Sequence, residues 1–281
     1  MKTRTFIKHS AGWLSLSALA LGMIASTQSA QALTQNVANT KHNLSNVRSG
    51  TGVNGGTGFG ASGVGDIFTT AGAGSDQICV FCHTPHGANT AATAVPLWNR
   101  TIQSNIYTPY TMVGANSTGT ASVGGMSLAC LSCHDGTQAM DAMFNAPGSG
   151  PGVGEGTSGD PQNYTWTAGS SGDTSSNHLR APITYLGTDL SNDHPIGMEY
   201  CGGMSGATCL DTDFKSGTDS SPVKPNGAKI GALKLFGDGT VANSTVECAT
   251  CHDPHISDAN TQLFLRVTPV ASEICLTCHT K

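Results

Sequence analysis

The sequence predicts a largely irregular fold, with few short helices and small β-hairpins, built around something other than a conventional hydrophobic core. Hydrophobic residues are 38% of the chain and aromatic residues 6%, whereas 36 of its 281 residues are glycine. Such a composition buries little apolar side-chain surface. Against this background the pentapeptide Cys-x-x-Cys-His occurs four times. The core must therefore come in large part from groups that these pentapeptides hold.

The pentapeptide is the attachment signature of c-type haem. Two thiols bond to the porphyrin, and the histidine that follows is the proximal ligand of the iron. In chain order the copies are motif 1 (Cys79, Cys82, His83), motif 2 (Cys130, Cys133, His134), motif 3 (Cys248, Cys251, His252) and motif 4 (Cys275, Cys278, His279). Four covalently attached haem c groups are expected. The predicted fold class is a multihaem cytochrome c, in which mostly coil polypeptide wraps a stacked haem core.

The N-terminus has the pattern of a secretory signal peptide. Three basic residues precede the apolar run 11–25, and Ala30-Gln31-Ala32 is a small-residue cleavage site. We expect residues 1–32 to be removed, the alternative being a retained membrane anchor. The run is short for a transmembrane helix, so no transmembrane anchor is predicted. Export places the protein at the outer surface or outside the cell, or alternatively in the periplasm.

Two cysteines, Cys201 and Cys209, lie outside the four motifs. In an oxidising compartment we expect a disulfide between them, and the alternative is two free thiols. Without the three basic residues of the signal segment, 10 basic residues face 18 acidic ones. This excess of acidic residues lacks the basic surface that is typical of nucleic-acid-binding proteins.

An internal repeat predicts two dihaem modules. Residues 33–145 form the first, residues 146–160 a Gly/Pro-rich linker, and residues 161–281 the second, with a haem-free insertion at about 161–230. The local patterns predict a short helix at 138–144 and strands at 163–168 and 262–267. They also predict a hairpin of 233–236 with 240–241, and a Gly-rich loop at 50–74.

The histidine count predicts a second histidine ligand on every iron. Besides the four proximal residues, five histidines lie beyond the signal segment: His42, His86, His178, His194 and His255. His86 and His255 each follow a proximal histidine by three residues. Neither reaches the far face of its own haem, so each is expected to ligate a neighbouring one. His42 and His194 are the matching upstream ligands, and His178 is a spare or an alternative ligand. Methionine is the other possible axial ligand, but no methionine stands in a repeated context.

The segments His-Asn-Leu-Ser, Cys-x-x-Cys-His-Thr-Pro-His-Gly, Asp-His-Pro-Ile-Gly and Cys-x-x-Cys-His-Asp-Pro-His resemble those of doubled-CxxCH multihaem cytochromes. With four motifs and a signal peptide, the chain looks like the extracellular filament-forming tetrahaem cytochromes (OmcE-like) of metal-reducing bacteria. This resemblance implies a head-to-tail homopolymer, redox partner cytochromes and an extracellular electron acceptor. It also implies that a histidine completes a haem of the next subunit, for which His42 is the candidate; the alternative is the arrangement of soluble monomers with the same motif, in which that histidine ligates an internal haem.

Six-coordinate irons leave no open position for substrate, so we expect an electron-transfer protein and not an enzyme. Within that class the alternatives are a filament subunit and a soluble periplasmic carrier. A multihaem reductase would need one open haem, and some such enzymes use Cys-x-x-Cys-Lys, which is absent from the sequence. Paired Cys-x-x-Cys also binds zinc in structural modules, but the histidine after every copy favours haem.

Overall fold

The structure is a computed structural model, and its description covers thirteen ranges and one single residue. These are residues 36–45, 75, 77–92, 95–103, 105–110, 122–146, 172–173, 178–180, 184–206, 208–216, 223–225, 233–237, 243–256 and 264–280. The predicted strand at 163–168 and loop at 50–74 lie outside the described residues, as do all but Ala146 of the predicted linker and all of the signal segment. Within the described ranges no helix is long and apolar enough to cross a bilayer.

The described elements are short. The helices are α1 (Gly125–His134), α2 (Cys248–Cys251) and α3 (Glu273–Cys278), with 3-10 turns at Val37–Asn39, Tyr200–Gly202 and Val270–Ser272. The strands are β1 (Thr108–Pro109), β2 (Gly172–Asp173), β3 (His178–Leu179), β4 (Asp189–Leu190), β5 (Met198–Glu199), β6 (Met204–Ser205), β7 (Thr208–Cys209), β8 (Val223–Pro225), β9 (Leu233–Gly237) and β10 (Ser244–Val246). Low helix content with small strands agrees with the predicted fold class.

One sheet has four strands, in the order β5-β10-β9-β8. β10 pairs antiparallel with β5 and β9, and β8 pairs parallel with β9. Three two-stranded sheets pair β1 with β4, β2 with β3 and β6 with β7. The β1–β4 pair joins Thr108 to Asp189 and Pro109 to Leu190, so residues of both predicted modules share a sheet.

The apolar side chains form three small clusters, and each borders a cysteine of a Cys-x-x-Cys-His motif. The first and third clusters contact Cys82 of motif 1, and the second contacts Cys278 of motif 4. The first contains Leu44, Val80, Phe81, Met140, Met143 and Leu179; the second Tyr200, Cys201, Met204, Cys209 and Leu235; the third Ala92, Trp98 and Ala129. Within the described residues the apolar side chains form these small clusters and no larger core, which agrees with the composition.

The longest helix, α1, was not predicted, whereas the helix predicted at 138–144 is wrong. Residues 138–144 form turns and an isolated bridge from Ala139 to His178. The buried Arg100 guanidinium donates hydrogen bonds to the carbonyls of Ala139 and Met140, at 2.8 and 2.7 Å. The Phe144 N–H donates to Asn99 O at 2.8 Å, so the helical hydrogen bond from Phe144 back to Met140 is not made.

The predicted hairpin is present with a later return strand. β9 (Leu233–Gly237) pairs with β10 (Ser244–Val246), and residues 240–241 lie outside the described residues. The strand predicted at 262–267 is wrong for its described part, residues 264–267. There Phe264 has φ of 62° and Leu265 makes an isolated bridge to His252. A residue in the left-handed region breaks the strand.

Candidate haem-binding motifs

Every motif is one tight helical turn. The histidine N–H donates to the carbonyl of the first cysteine in motif 1 (2.7 Å), motif 3 (3.1 Å) and motif 4 (2.9 Å). Motif 2 forms the end of α1, which stops at His134 and is followed by Gly136 with φ of 65°. Positions one, four and five of such a turn share a face. Both thiols and the histidine are thereby presented together.

A three-residue segment, which we call a strap, crosses motif 1 antiparallel to its end. Strap 1 is Leu97-Trp98-Asn99. The N–H of Thr84, which follows the motif, donates to Leu97 O at 2.9 Å, and the Asn99 N–H donates to Cys82 O at 2.8 Å. Between these bonds Trp98 bridges His83. The strap therefore holds the proximal histidine's backbone on both sides.

Motifs 3 and 4 have straps with the same connections. Strap 3 is Phe264-Leu265-Arg266, where Phe264 O accepts from the residue after the motif at 2.8 Å and Arg266 N–H donates to the second cysteine's carbonyl at 2.8 Å. Strap 4 is Asp213-Phe214-Lys215, and its equivalent bonds are 2.8 and 2.7 Å. The middle residues bridge the proximal histidines, as in strap 1. Straps 1 and 3 follow their motifs in sequence, whereas strap 4 precedes its motif.

Motif 2 is held differently. Leu186 N–H donates to His134 O at 2.8 Å, and Arg100 donates to Ser132 O and Ser132 Oγ at 3.0 and 3.1 Å. Arg100 is 1% exposed. Its neighbour Asn99 belongs to strap 1, so two consecutive residues contact motifs 1 and 2.

Backbone carbonyls fix the rings of two proximal histidines. His83 Nδ1 lies 2.9 Å from Pro96 O, and His134 Nδ1 lies 2.8 Å from Thr184 O. A carbonyl accepts only from the protonated nitrogen, so Nδ1 carries the hydrogen and Nε2 keeps its lone pair. This outer hydrogen bond is the arrangement that orients metal-ligating histidines.

The predicted distal histidine His255 is fixed through its Nδ1 atom by a carboxylate. Asp253 Oδ1 lies 2.9 Å from His255 Nδ1, and Asp253 Oδ2 accepts from Arg266 at 3.0 Å. Burial by itself would raise the pKa of Asp253. The hydrogen bonds with His255 and the charge of Arg266 outweigh this effect and lower the pKa to about 2. Asp253 is therefore a carboxylate across the physiological range, and it leaves Nε2 of His255 available.

The structure brings two proximal and two predicted distal histidines into pairs. The ring centres of His83 and His255 are 6.3 Å apart, with an angle of 20° between the rings. Those of His42 and His134 are 6.2 Å apart, at 64°. Both pairs join residues distant in sequence. His255 thus lies against motif 1, although it follows motif 3 by three residues.

His42 provides the test of whether these residues fit haem. Its Nδ1 atom is buried and has no hydrogen-bond partner, and its ring packs on Phe264 at 4.3 Å. Burial, with smaller effects of neighbouring histidines led by His134, lowers the pKa of His42 to about 3. A neutral imidazole with an enclosed, unpartnered nitrogen fits a metal ligand. Beside two thiols and a carbonyl-anchored histidine, this donor set suits c-type haem.

The other candidate ligands are placed separately. His194 Nδ1 lies 3.1 Å from Pro195 O. Burial lowers the pKa of His279, and His194 lowers it further, so His194 lies near motif 4. His178 is half-buried in β3. His86 is exposed, and its backbone carbonyl accepts a hydrogen bond from Thr84 Oγ1 at 2.8 Å.

The motif cysteines lie close to one another. The thiols of Cys130 and Cys248 are in hydrogen-bond contact, which raises the pKa of Cys130 and lowers that of Cys248. Burial, with a smaller effect of Cys133, raises the pKa of Cys82 to about 12, and burial with Cys251 raises that of Cys278 to about 12. Motif 1 is thus near motif 2, motif 2 contacts motif 3, and motif 3 is near motif 4.

The two remaining cysteines, Cys201 and Cys209, form a disulfide with Cα atoms 5.5 Å apart. It belongs to the apolar cluster that borders motif 4, where Tyr200 Oη donates to Lys215 O at 2.7 Å. The disulfide therefore supports the loop that carries strap 4.

Sequence reasoning missed the straps and Arg100. The third strap residues are Asn99, Lys215 and Arg266, which share no residue type, and the straps stand at different distances from their motifs on either side. A polar or basic residue after an apolar or aromatic one was the available signal. That pattern is too common to single out these positions.

Comparison with known families gives one finding for this chain. The family described as the doubled CXXCH motif matches residues 240–281, which contain motifs 3 and 4. Comparison with curated proteins gave no match. The paired motifs indicate covalently bound c-type haem and an electron-transfer role. Together with the motif geometry, the match supports a multihaem c-type cytochrome.

Proposed function

We propose that the protein is an exported tetrahaem cytochrome that carries electrons through haems with two histidine ligands each, and that it is not an enzyme. The observation that carries this proposal is the spacing of the two histidine pairs, 6.3 Å for His83 with His255 and 6.2 Å for His42 with His134. An iron held between two imidazole nitrogens, each about 2.0 Å away, sets the ring centres roughly 6 Å apart. Tilted rings in contact lie closer, as His42 and Phe264 do at 4.3 Å, whereas the edge-on rings of His83 and Trp98 lie 5.9 Å apart. The near-parallel pair of His83 and His255 is therefore the stronger support.

The remaining assignments follow from placement. His194 is the proposed partner of His279, because it lies close enough to lower the pKa of His279. His252 then takes either His178 of the same chain or the exposed His86 of a neighbouring copy. Five candidates thus serve four irons, with one choice left to experiment.

When bound, each haem supplies one-electron chemistry between ferric and ferrous iron. The residues of the chain hold this chemistry in place. The cysteines attach the porphyrins, and carbonyls or a carboxylate keep a proton on Nδ1 of His83, His134 and His255. Two protein ligands on an iron exclude substrate from it. Bis-histidine ligation also gives lower reduction potentials than histidine with methionine.

We further propose that the protein works outside the cell as the subunit of a conductive filament, with redox partner cytochromes and an extracellular acceptor. The signal-peptide pattern and the resemblance to filament-forming cytochromes support this. The position of His42 beside His134 of its own chain favours an internal role for it. The exposed His86 is then the better candidate for completing a haem of the next copy. A soluble periplasmic carrier is the second candidate, favoured by the same internal pairing of His42.

Cryo-electron microscopy of the protein purified from its native host tests assembly, and magnetic circular dichroism of the same sample counts low-spin irons. Filaments with continuous haems and four low-spin irons per chain would support the whole proposal. Monomers with four low-spin irons would reduce it to a soluble carrier. One high-spin iron in the intact protein would contradict complete bis-histidine ligation and favour a reductase.

A further inference from the structure

The three straps solve the same local problem at motifs 1, 3 and 4. In each, the first strap residue accepts the N–H of the residue after the motif, which is Thr84, Asp253 or Thr280. In a continuing helix that N–H would bond to the carbonyl four residues earlier. That carbonyl belongs to the residue after the first cysteine: Val80, Ala249 or Leu276. Strapping the motif therefore ends the helix and leaves this carbonyl without its helical donor.

The third strap residue supplies the missing donor with its side chain. Asn99 Nδ2 donates to Val80 O at 2.6 Å, and Arg266 Nε donates to Ala249 O at 3.0 Å. Lys215 Nζ donates to Leu276 O. Three residue types of different length reach the same carbonyl position in three separate motifs. The coincidence extends to the backbone, since the N–H of each of these residues bonds to its motif's second cysteine carbonyl.

We propose that Asn99, Lys215 and Arg266 are positioning residues, each of which holds its own Cys-x-x-Cys-His turn in the form that haem attachment and axial ligation require. The two bonds from one strap residue fix the carbonyls of the first x and the second cysteine, so the separation of the two thiols is set before a porphyrin is bound. The inference rests on the proposed function in one respect, namely that the motifs carry haem.

Lys215 gives the sharpest test, because its side chain is exposed and its loss should leave the fold intact. Lys215→Met removes the donor at nearly constant length, and Lys215→Arg keeps a donor. Each variant is matured in an exporting host, and haem on each motif is measured by mass mapping of the haem peptides. Arg180→Met, at an exposed arginine that contacts Tyr185, is the matched control.

We expect Lys215→Met to lose haem from motif 4 alone, or to keep it with an altered low-spin signal for that haem. Lys215→Arg and Arg180→Met should match the wild type. Arg266→Met, compared with Arg266→Lys, should lose haem from motif 3, with any further change limited to the low-spin signal of motif 1, because Arg266 also bonds Asp253, which holds His255. Full occupancy and unchanged low-spin spectra in both methionine variants would overturn the inference. A high-spin iron in the wild type would instead count against the proposed ligation of every iron by two histidines. It would leave the strap inference standing, because that inference is judged by whether each motif carries its haem.

Discussion

At the scale of single residues, His255 separates position along the chain from position in space. It follows His252 by three residues, yet its ring lies 6.3 Å from that of His83, and Asp253 holds its Nδ1 atom. A ligand from motif 3 on the iron of motif 1 would tie the two halves of the chain together. The assignment also makes these two motifs spatial neighbours.

His255→Ala should therefore convert one haem from low to high spin, and that haem should be the one on motif 1. The assignment is checked in a background without that haem, Cys79→Ala with Cys82→Ala. If His255 serves motif 1, adding His255→Ala to this background creates no further high-spin iron in magnetic circular dichroism. A new high-spin iron in the triple variant would assign His255 to another haem.

Arg100 is a buried cation whose hydrogen bonds all go to neutral acceptors: Ser132 Oγ and the carbonyls of Ser132, Ala139 and Met140. Arg100→Met should lower the free energy of unfolding by about 3 kcal/mol, because buried acceptors lose their donors. Arg100→Lys should recover part of this loss, since one ammonium cannot reproduce the guanidinium fork.

Guanidinium unfolding followed by tryptophan fluorescence measures these changes, and Arg180→Met should cost under about 1 kcal/mol. Loss of the positive charge beside motifs 1 and 2 should also shift the potentials of the haems on these two motifs downward in a spectroelectrochemical titration. An unchanged midpoint of unfolding in Arg100→Met would contradict this account of the buried charge.

The four pentapeptides made the candidate haem-attachment residues readable from the sequence, because covalent attachment demands fixed spacing. The pairing of ligands was not readable, since chain separation says nothing about which faces meet. His42 illustrates the difference. The sequence identified it as a ligand candidate and the resemblance pointed to another subunit, whereas the structure places it beside His134 of the same chain.

At the scale of elements, the joint between α1 and α2 links motif 2 to motif 3. Ser127 Oγ donates to Glu247 Oε2 and accepts from Cys248 N–H at 3.0 Å. Glu247 N–H donates to Thr250 Oγ1 at 2.9 Å at the start of α2. Gly124 lies so close to Glu247 Oε1 that an added Cβ would collide with it. One carboxyl group therefore joins the two helices that contain motifs 2 and 3.

Burial raises the pKa of Glu247 above its usual 4.5, although hydrogen bonds from Ser127 and Thr245 oppose the change. A raised pKa means that the folded protein binds this proton more tightly than the unfolded chain does. Its contribution to stability is therefore complete below pH 4.5 and is lost as the pH rises through the folded-state pKa.

Glu247→Gln removes this titration, so the stability difference between wild type and variant should grow as the pH falls from 7 to 5. The hydrogen bonds that Glu247→Gln removes are worth about 1 kcal/mol at either pH. Urea unfolding of both proteins at several pH values measures the difference, which cancels the titration of all shared groups. A difference that shrinks toward pH 5 would show that Glu247 is ionised more readily in the fold than in the unfolded chain.

The elements also show where pattern reading failed. The helix predicted at 138–144 had suitable apolar spacing, but Arg100, distant in sequence, occupies two carbonyls that a helix would need. The hairpin at β9 was predicted from the local turn sequence Gly237-Asp238-Gly239, but that sequence does not fix the length of the connection, and the paired return strand is Ser244–Val246. Contacts that decide between local alternatives are long-range here, and one sequence does not display them.

At the scale of the whole molecule, the described apolar clusters are small and each borders a haem-attachment cysteine. The composition leaves little apolar side-chain surface to bury. Ordering the backbone opposes folding by about 1–2 kcal/mol for each residue. Haems on these cysteines would supply the missing apolar contact area beside the clusters. Folding and haem attachment should therefore be one thermodynamic event, as in other proteins whose ligand completes the core.

A variant with alanine at all eight motif cysteines should consequently lack a cooperative unfolding transition, while the haem-bearing protein should have one. Differential scanning calorimetry and near-ultraviolet circular dichroism compare the two. The control is Cys201→Ala with Cys209→Ala, which removes a short disulfide loop and should lower stability by roughly 2.5 kcal/mol while keeping the transition cooperative. A sharp transition in the haem-free variant would mean that the polypeptide builds its own core, and that the haems only occupy it.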